Sequence, residues 1–98
     1  MFKSNSAKDT VNAIAADVEA IQREYDAKLS AILNRLEALD PEVAKRAIEV
    51  FDDRRNAAIW LAAPRPCFLG LTPYQVISGG KRQDVLGVLG RIEHGIFS

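Results

Sequence analysis

The first third of the chain carries apolar residues at the alternating three- and four-residue spacing of one helix face. Residues 10–39 contain no glycine and no proline, so no residue that ends or kinks a helix interrupts them. Two four-residue steps are adjacent at Tyr25, which is a stutter in the repeat. The pattern predicts one long helix over residues 10–39. Its apolar face comprises Val11, Ile14, Val18, Ile21, Tyr25, Leu29, Ile32, Leu36 and Leu39.

This predicted helix is longer than the domain that the rest of the chain can build. Thirty helical residues span about 45 Å, whereas a single globule of this chain length is about 26 Å across. We expect a second copy of the chain to cover the apolar face in a coiled-coil-like dimer, through the apolar residues from Val11 to Leu36. Packing against the chain's own C-terminal half and packing against a different protein are the alternatives.

Capping residues divide the rest of the chain into short helices. Asp40 precedes Pro41, which predicts that the first helix ends near residue 39 and a second helix begins at the proline. The pair Asp52-Asp53 interrupts that second helix, and either aspartate can cap a third helix over residues 54–63. Thr72 before Pro73 repeats the cap-then-proline signal and predicts a fourth helix, ending at Gly79-Gly80.

Two segments complete the predicted fold. Pro64-Arg65-Pro66 favours an extended loop, in which we expect the apolar residues Cys67, Phe68 and Leu69 to pack into the core. A last helix is predicted over residues 81–94, with Gly95 as a left-handed C-terminal cap. The chain is therefore predicted to be all-α. Residues 1–40 form a long, dimerising helix, and residues 41–98 form a compact bundle of about four short helices.

Charge and composition exclude several classes of function. The chain has 13 basic and 13 acidic residues, so it lacks the basic excess typical of nucleic-acid binders, and nothing draws it to anionic lipid. One cysteine and one histidine are too few for an internal disulfide or a structural zinc site. Residues 1–10 are polar, unlike a signal peptide, and no run approaches the ~18 apolar residues of a membrane span. We expect a cytoplasmic protein without a cofactor.

No group of residues predicts catalysis. Cys67 lies in an apolar setting that favours the neutral thiol, so nothing supports a nucleophile and base formed by Cys67 and His94. Residues 79–82 depart from the phosphate-loop motif and are typical of a turn with solvated charges. The basic pairs Lys45-Arg46 and Arg54-Arg55 are interpreted as solvated faces as well. We therefore expect a binding protein and not an enzyme.

From residue 47 onward the chain resembles the toxin-binding domain of the Xre/MbcA/ParS antitoxins. The resemblance lies in three segments that occur in order at the family's spacing. They are Trp60-Leu61-x-x-Pro64, Leu69-Gly70-x-Thr72-Pro73 and the run Gly90-Arg91-Ile92-Glu93-x-Gly95-Ile96-Phe97. The resemblance covers about half of the chain.

The resemblance implies a bacterial type II antitoxin module that neutralises RES-class toxins, which degrade NAD, by laying its C-terminal region over the toxin's active site. Apolar residues that follow a helix cap are costly to leave exposed. Ile96 and Phe97 therefore dock either on the chain's own core or in a partner's pocket. Carried over to this chain, the toxin-binding residues are Arg91, Glu93, His94, Gly95, Ile96, Phe97 and Ser98.

Residues 1–46 depart from the family pattern. Family members commonly have an N-terminal region like a helix-turn-helix, which needs two short helices and a tight turn. Residues 10–39 instead form one unbroken helical pattern, so we do not expect operator binding. The alternative function is an oligomerising adaptor or structural protein that uses the long helix and has no toxin partner.

Overall fold

The computed structural model describes residues 6–95, with side chains from residue 10. Over this part of the chain it contains five α-helices, one turn of 3-10 helix and no strand, which confirms the predicted all-α fold. The helices are α1 (Ser6–Leu39), α2 (Pro41–Phe51), α3 (Arg54–Ala62), α4 (Pro73–Ser78) and α5 (Arg82–Glu93), and the 3-10 turn (Pro66–Phe68) lies between α3 and α4.

Side-chain caps begin three of the short helices where the sequence predicts them. The carboxylate of Asp40 accepts a hydrogen bond from the first turn of α2. Asp53 caps α3, while Asp52 adopts a left-handed backbone with φ of 52°. At α4 the Thr72 hydroxyl accepts from the Gln75 N–H at 3.0 Å, and the Gln75 side chain accepts from the Thr72 N–H at 2.8 Å. This reciprocal pair is a capping box.

The core lies where the second half of α1 packs on α2 and α3, and where α5 packs on α2 and α4. Trp60 is buried between Phe51 and Phe68, with ring centroids 5.6 and 6.3 Å away. The buried apolar residues are Leu29, Leu33, Leu36, Val43, Ala44, Ala47, Ala57, Ala58, Trp60, Leu61, Phe68, Val76, Val85 and Leu89.

The segment after α3 corrects one expectation. Phe68 is buried, but Cys67 is exposed and Leu69 is 95% exposed, so the prediction that all three residues pack into the core is wrong for two of them. The cause is the tight 3-10 turn, because consecutive side chains around a turn point in different directions. Leu69 then adopts a left-handed backbone with φ of 58°, which directs it away from Phe68.

Helix α1 divides into an exposed part and a packed part. Apart from Asp26, every side chain of residues 10–28, which we call the arm, is exposed. Leu29, Leu33 and Leu36 are buried in the chain's own core. Leu29 and Leu36 are therefore not available to pack against a second copy of the chain, and the expectation that they belong to the dimer interface is wrong. The arm gives the molecule its elongated shape, with dimensions of 62 × 29 × 25 Å.

Arginines of α3 tie the packed part of α1 to the bundle. The Arg54 guanidinium donates two hydrogen bonds to the Glu37 carboxylate, at 2.6 and 3.0 Å. Arg55 lies 3.4 Å from the carboxylate of Asp26. Arg54 and Arg55 are both exposed, as expected for a solvated face, and each guanidinium also has a carboxylate partner on α1.

Candidate functional site

Helix α5 carries the described part of the predicted toxin-binding segment. Val85 and Leu89 are fully buried and fix the helix on the core. Its end is closed by backbone hydrogen bonds from the His94 N–H to the Gly90 carbonyl at 3.1 Å and from the Gly95 N–H to the Ile92 carbonyl at 3.0 Å. Gly95 has a φ of 77°, which confirms the left-handed cap predicted there.

The structure places the predicted site residues at one end of α5. Arg91, Glu93, His94 and Gly95 are all exposed at or after its last turn. The predicted contact residues Ile96, Phe97 and Ser98 lie outside the described residues. The described part of the site is therefore a polar, solvent-facing helix end on a buried apolar base.

Glu93 is held by a residue that the sequence did not indicate. Arg46 of α2 lies 2.9 Å from the Glu93 carboxylate, so the interpretation of Arg46 as a solvated charge is wrong. A Cβ atom added at Gly90 would lie 3.7 Å from the Arg46 guanidinium, an ordinary contact distance, so the arginine passes directly beside α5 at this residue. No local signal marks this contact, because its partners are far apart in the sequence.

A shallow groove lies beside the exposed end of α5. It has a volume of about 290 Å³ and separates the 3-10 turn from α5. Gly87 leaves its floor open, since a Cβ atom there would meet nothing within 4 Å. Arg91 lines the groove and connects it to the predicted toxin-binding segment. The groove residues are Cys67, Phe68, Gln83, Asp84, Gly87, Val88 and Arg91.

The other end of α5 is fixed by a second charged cluster. Arg82 donates to both carboxylate oxygens of Asp40, at 2.7 and 2.9 Å, and to Glu42 at 2.7 Å. These hydrogen bonds hold the pKa of Asp40 below its ordinary value and raise that of Arg82. Arg82 is therefore not the solvated charge that the sequence indicated. Both ends of α5 are joined to α2, so the helix is a firm base for the residues that follow it.

Comparison with known families identifies this helical unit. The family model of the antitoxin Xre/MbcA/ParS C-terminal toxin-binding domain matches residues 46–95. The chain belongs to this family. The match confirms the resemblance and extends from α2 through Gly95, so we call residues 46–95 the antitoxin domain. The arm lies outside the matched region. No curated protein and no solved structure matches the chain.

The described residues form neither a metal-binding cluster nor a membrane-spanning helix. In residues 6–95, no three histidine, cysteine or acidic side chains are grouped closely enough to hold a metal ion. None of the helices in that range combines the length and the apolar character needed to cross a bilayer.

Proposed function

We propose that this chain is an antitoxin that neutralises a RES-class, NAD-degrading toxin by covering the toxin's active site with its C-terminal segment. The observation that carries the proposal is the toxin-binding family match over residues 46–95. The RES class and the covering of the active site come from the resemblance of the terminal run, from Gly90 to Phe97, to the family's blocking segment.

The geometry of α5 supports this mode of binding. Arg46 and Arg82 join the two ends of the helix to α2, so the inhibitory segment starts from a fixed base. A binding element that is held in place before contact loses less conformational freedom on association. Arg91 is exposed at this base, where charged side chains set the orientation and specificity of a complex more than its affinity.

We infer that the chain acts by binding and carries no reaction of its own. Cys67 is an exposed free thiol, and a free thiol suits the reducing bacterial cytoplasm in which we place the complex. We expect no operator binding, since the described residues 6–39 form the single long helix α1, whereas a helix-turn-helix needs two short helices joined by a tight turn.

The test is co-expression of the chain with a RES-type toxin encoded beside it, followed by an assay of NAD consumption. Removal of residues 96–98 should restore NAD consumption and weaken capture of the toxin while the helical content stays unchanged. A full-length variant with Ile96→Ser and Phe97→Ser should behave in the same way, which separates loss of apolar contact from loss of length. Unchanged inhibition by both variants would overturn the proposed mechanism.

One observation favours the second candidate, an oligomerising adaptor without a toxin. The apolar residues of the arm are exposed, among them Val11, Ile14 and Ile21 at 57 to 63%, and the family match leaves them unexplained. A gene neighbourhood without a toxin reading frame, together with no captured toxin in a pull-down from the native host, would favour this candidate.

A further inference from the structure

The exposed apolar residues of α1 repeat at intervals of seven. Five residues spaced seven apart are between 37 and 82% exposed, and two more are exposed three residues after the first and second of them. Two apolar positions per seven residues are the repeat of a coiled coil. We call these residues the heptad row. They are Val11, Val18, Tyr25, Ile32 and Leu39, with Ile14 and Ile21.

The heptad row and the core of the chain use different faces of α1. Leu29 and Leu33 are buried against α2 and α3, while Ile32, their neighbour in sequence, is exposed. Near the end of α1 the row enters an apolar groove of about 280 Å³ beside α4, which Ile32, Leu39, Tyr74 and Ile77 help to line. The row therefore offers an apolar surface from the arm to α4, flanked by Lys28 and Arg35, which a monomer in water rarely leaves exposed.

The distribution of charge along α1 favours a second copy of the chain as the occupant. Residues 10–27 contain four acidic side chains, Asp17, Glu19, Glu24 and Asp26, and one basic side chain, Arg23. Residues 28–36 contain Lys28 and Arg35 and no acid. The first stretch is acidic and the second is basic, and the next acid of α1, Glu37, is already paired with Arg54 of the same chain. The two stretches of α1 are therefore complementary to each other when a second copy runs in the opposite direction.

The same charges disfavour a parallel pair. Lys28 and Arg35 follow Ile21 at intervals of seven, so they occupy the second position of the heptad, which lies inside the seam. In a parallel, in-register pair each of them would face its own copy, and like charges in direct opposition are repulsive. An antiparallel pair places them against the acidic stretch of the other helix and keeps the two antitoxin domains apart.

We propose that two copies of the chain pair antiparallel along α1, with Ile21 of one copy opposite Ile32 of the other. Counting heptads from that contact places Ile14 opposite Leu39, and Val18 opposite Arg35, of the second copy. In this register residues 17–26 of each copy face residues 27–36 of the other. The interface is closed by its two-fold symmetry. It lies outside the predicted toxin-binding residues, so it holds whether or not the toxin proposal is correct.

The first test measures the mass of the full chain in solution by light scattering over a dilution series. The wild-type chain should be a dimer at high concentration and dissociate on dilution. Ile14→Glu and Ile21→Glu should each raise the dissociation constant at least tenfold. Ala16→Glu adds the same charge on the opposite, exposed face of the arm and should leave it unchanged, while circular dichroism shows that all three variants remain helical.

The second test determines the direction of pairing by disulfide trapping. Cys67 is replaced by serine, because its exposed thiol would otherwise react. Chains with Ile21→Cys and chains with Ile32→Cys should form mixed disulfides when combined, and neither variant alone should form a disulfide dimer, because like positions lie far apart along antiparallel helices. Disulfide dimers of a single variant, or a dimer without the mixed disulfide, would overturn the pairing.

Two other results would overturn the proposal as a whole. One is a wild-type chain that stays monomeric throughout the dilution series. The other is protection of the arm's backbone amides from hydrogen exchange only after a purified toxin is added, which would assign the heptad row to the toxin. Loss of toxin inhibition after removal of residues 96–98 bears only on the antitoxin proposal, so the two proposals can fail separately.

Discussion

The guanidinium of Arg46 on α2 lies 2.9 Å from the carboxylate of Glu93, the last residue of α5. This ion pair crosses over the bare backbone of Gly90 and joins two helices at the point where the predicted toxin-binding segment leaves the bundle. We expect this ion pair to position the segment from within the chain, in addition to the toxin contact that the resemblance implies for Glu93.

Arg46→Ala should weaken toxin inhibition more than it weakens the fold. Both side chains are more than 30% exposed, and solvent-exposed pairs contribute about 0 to 1 kcal/mol to the free energy of unfolding. Comparison of urea unfolding with toxin inhibition measures the two effects. The charge-swapped variant with Arg46→Glu and Glu93→Arg should recover part of the inhibition. Equal inhibition by wild type and Arg46→Ala would mean that the ion pair does not position the segment.

The domain should lose stability in acid, because protonation of Asp40 removes the stabilisation that its pair with Arg82 provides. Hydrogen bonds from Arg82 lower the pKa of Asp40 in the folded chain, so the folded state binds this proton less readily than the unfolded state. The stabilisation is present above the ordinary carboxyl pKa and is lost as the pH falls through the lowered one. Thermal unfolding of Asp40→Asn between pH 7 and pH 2 should show a shallower loss of Tm than that of the wild type.

Two features make Asp40→Asn a clean comparison. Asparagine is as good an N-cap as aspartate, so α2 keeps its cap, whereas Asp40→Ala removes the cap as well and should be about 1 kcal/mol less stable than Asp40→Asn at every pH. Glu37, whose pKa is lowered by its hydrogen bonds to Arg54, remains in the variant, so the slope should decrease without vanishing. An acid slope identical to that of the wild type would contradict this account.

Leu33 and Ile21 should differ sharply in their effect on stability, although both are apolar residues of α1. Leu33 is 1% exposed and Ile21 is 63% exposed. Leu33→Ala leaves a cavity in the core and should lower the free energy of unfolding by about 2–5 kcal/mol, while Ile21→Ala should change it by less than about 0.5 kcal/mol. The fluorescence of Trp60, the single tryptophan, follows unfolding of the domain. Similar losses in dilute protein would show that the arm packs on its own domain.

We expect Leu69 to contact the toxin and to contribute little to the stability of the fold. It is 95% exposed and has a left-handed φ of 58°, which costs a side chain with a Cβ about 1–2 kcal/mol. Leu69→Gly removes that strain, but it also raises the conformational entropy of the unfolded chain. Because the two effects oppose each other, the free energy of unfolding should change by less than about 1 kcal/mol. A clear loss of toxin binding at unchanged stability would place Leu69 in the interface. A substantial destabilisation would show that the exposed side chain supports the fold.

The sequence predicted the helices well because their boundaries depend on local chemistry. Asp40, Asp53 and Thr72 each accept a hydrogen bond from the first turn of the helix that they cap. At the other end of a helix, the left-handed Gly95 directly follows His94, the C-cap of α5. Such signals extend over a few residues and can be recognised without knowledge of the tertiary fold. The predicted bundle of four short helices after a long one is confirmed for the same reason.

The stutter at Tyr25 shows where spacing alone is insufficient. It marks the point at which one apolar row becomes two: Leu29 and Leu33 turn toward the core, while Ile32 continues the exposed repeat. Leu33 was not predicted to be buried, because Ile32 fits the three-residue step equally well. Which of the two residues meets α2 and α3 depends on how the bundle docks, and linear spacing does not contain that information.

The charged part of the site was less predictable than its helix. Arg46 and Arg82 each pair with carboxylates more than thirty residues away, and a basic residue beside a helix looks the same in sequence whether it faces water or a partner. The prediction for the loop was wrong for a related reason. The three apolar residues from Cys67 to Leu69 follow a tight turn, and only Phe68 points into the core.

Helix α1 has no break where its exposed half meets its buried half. The segment that closes the core over Leu33 therefore continues directly into the arm, and the two parts lack a hinge glycine or proline between them. Any molecule that binds only the helical form of the arm also favours the helical form of the segment beyond it. By mass action, a ligand bound to the arm should therefore also raise the temperature at which the helical bundle unfolds.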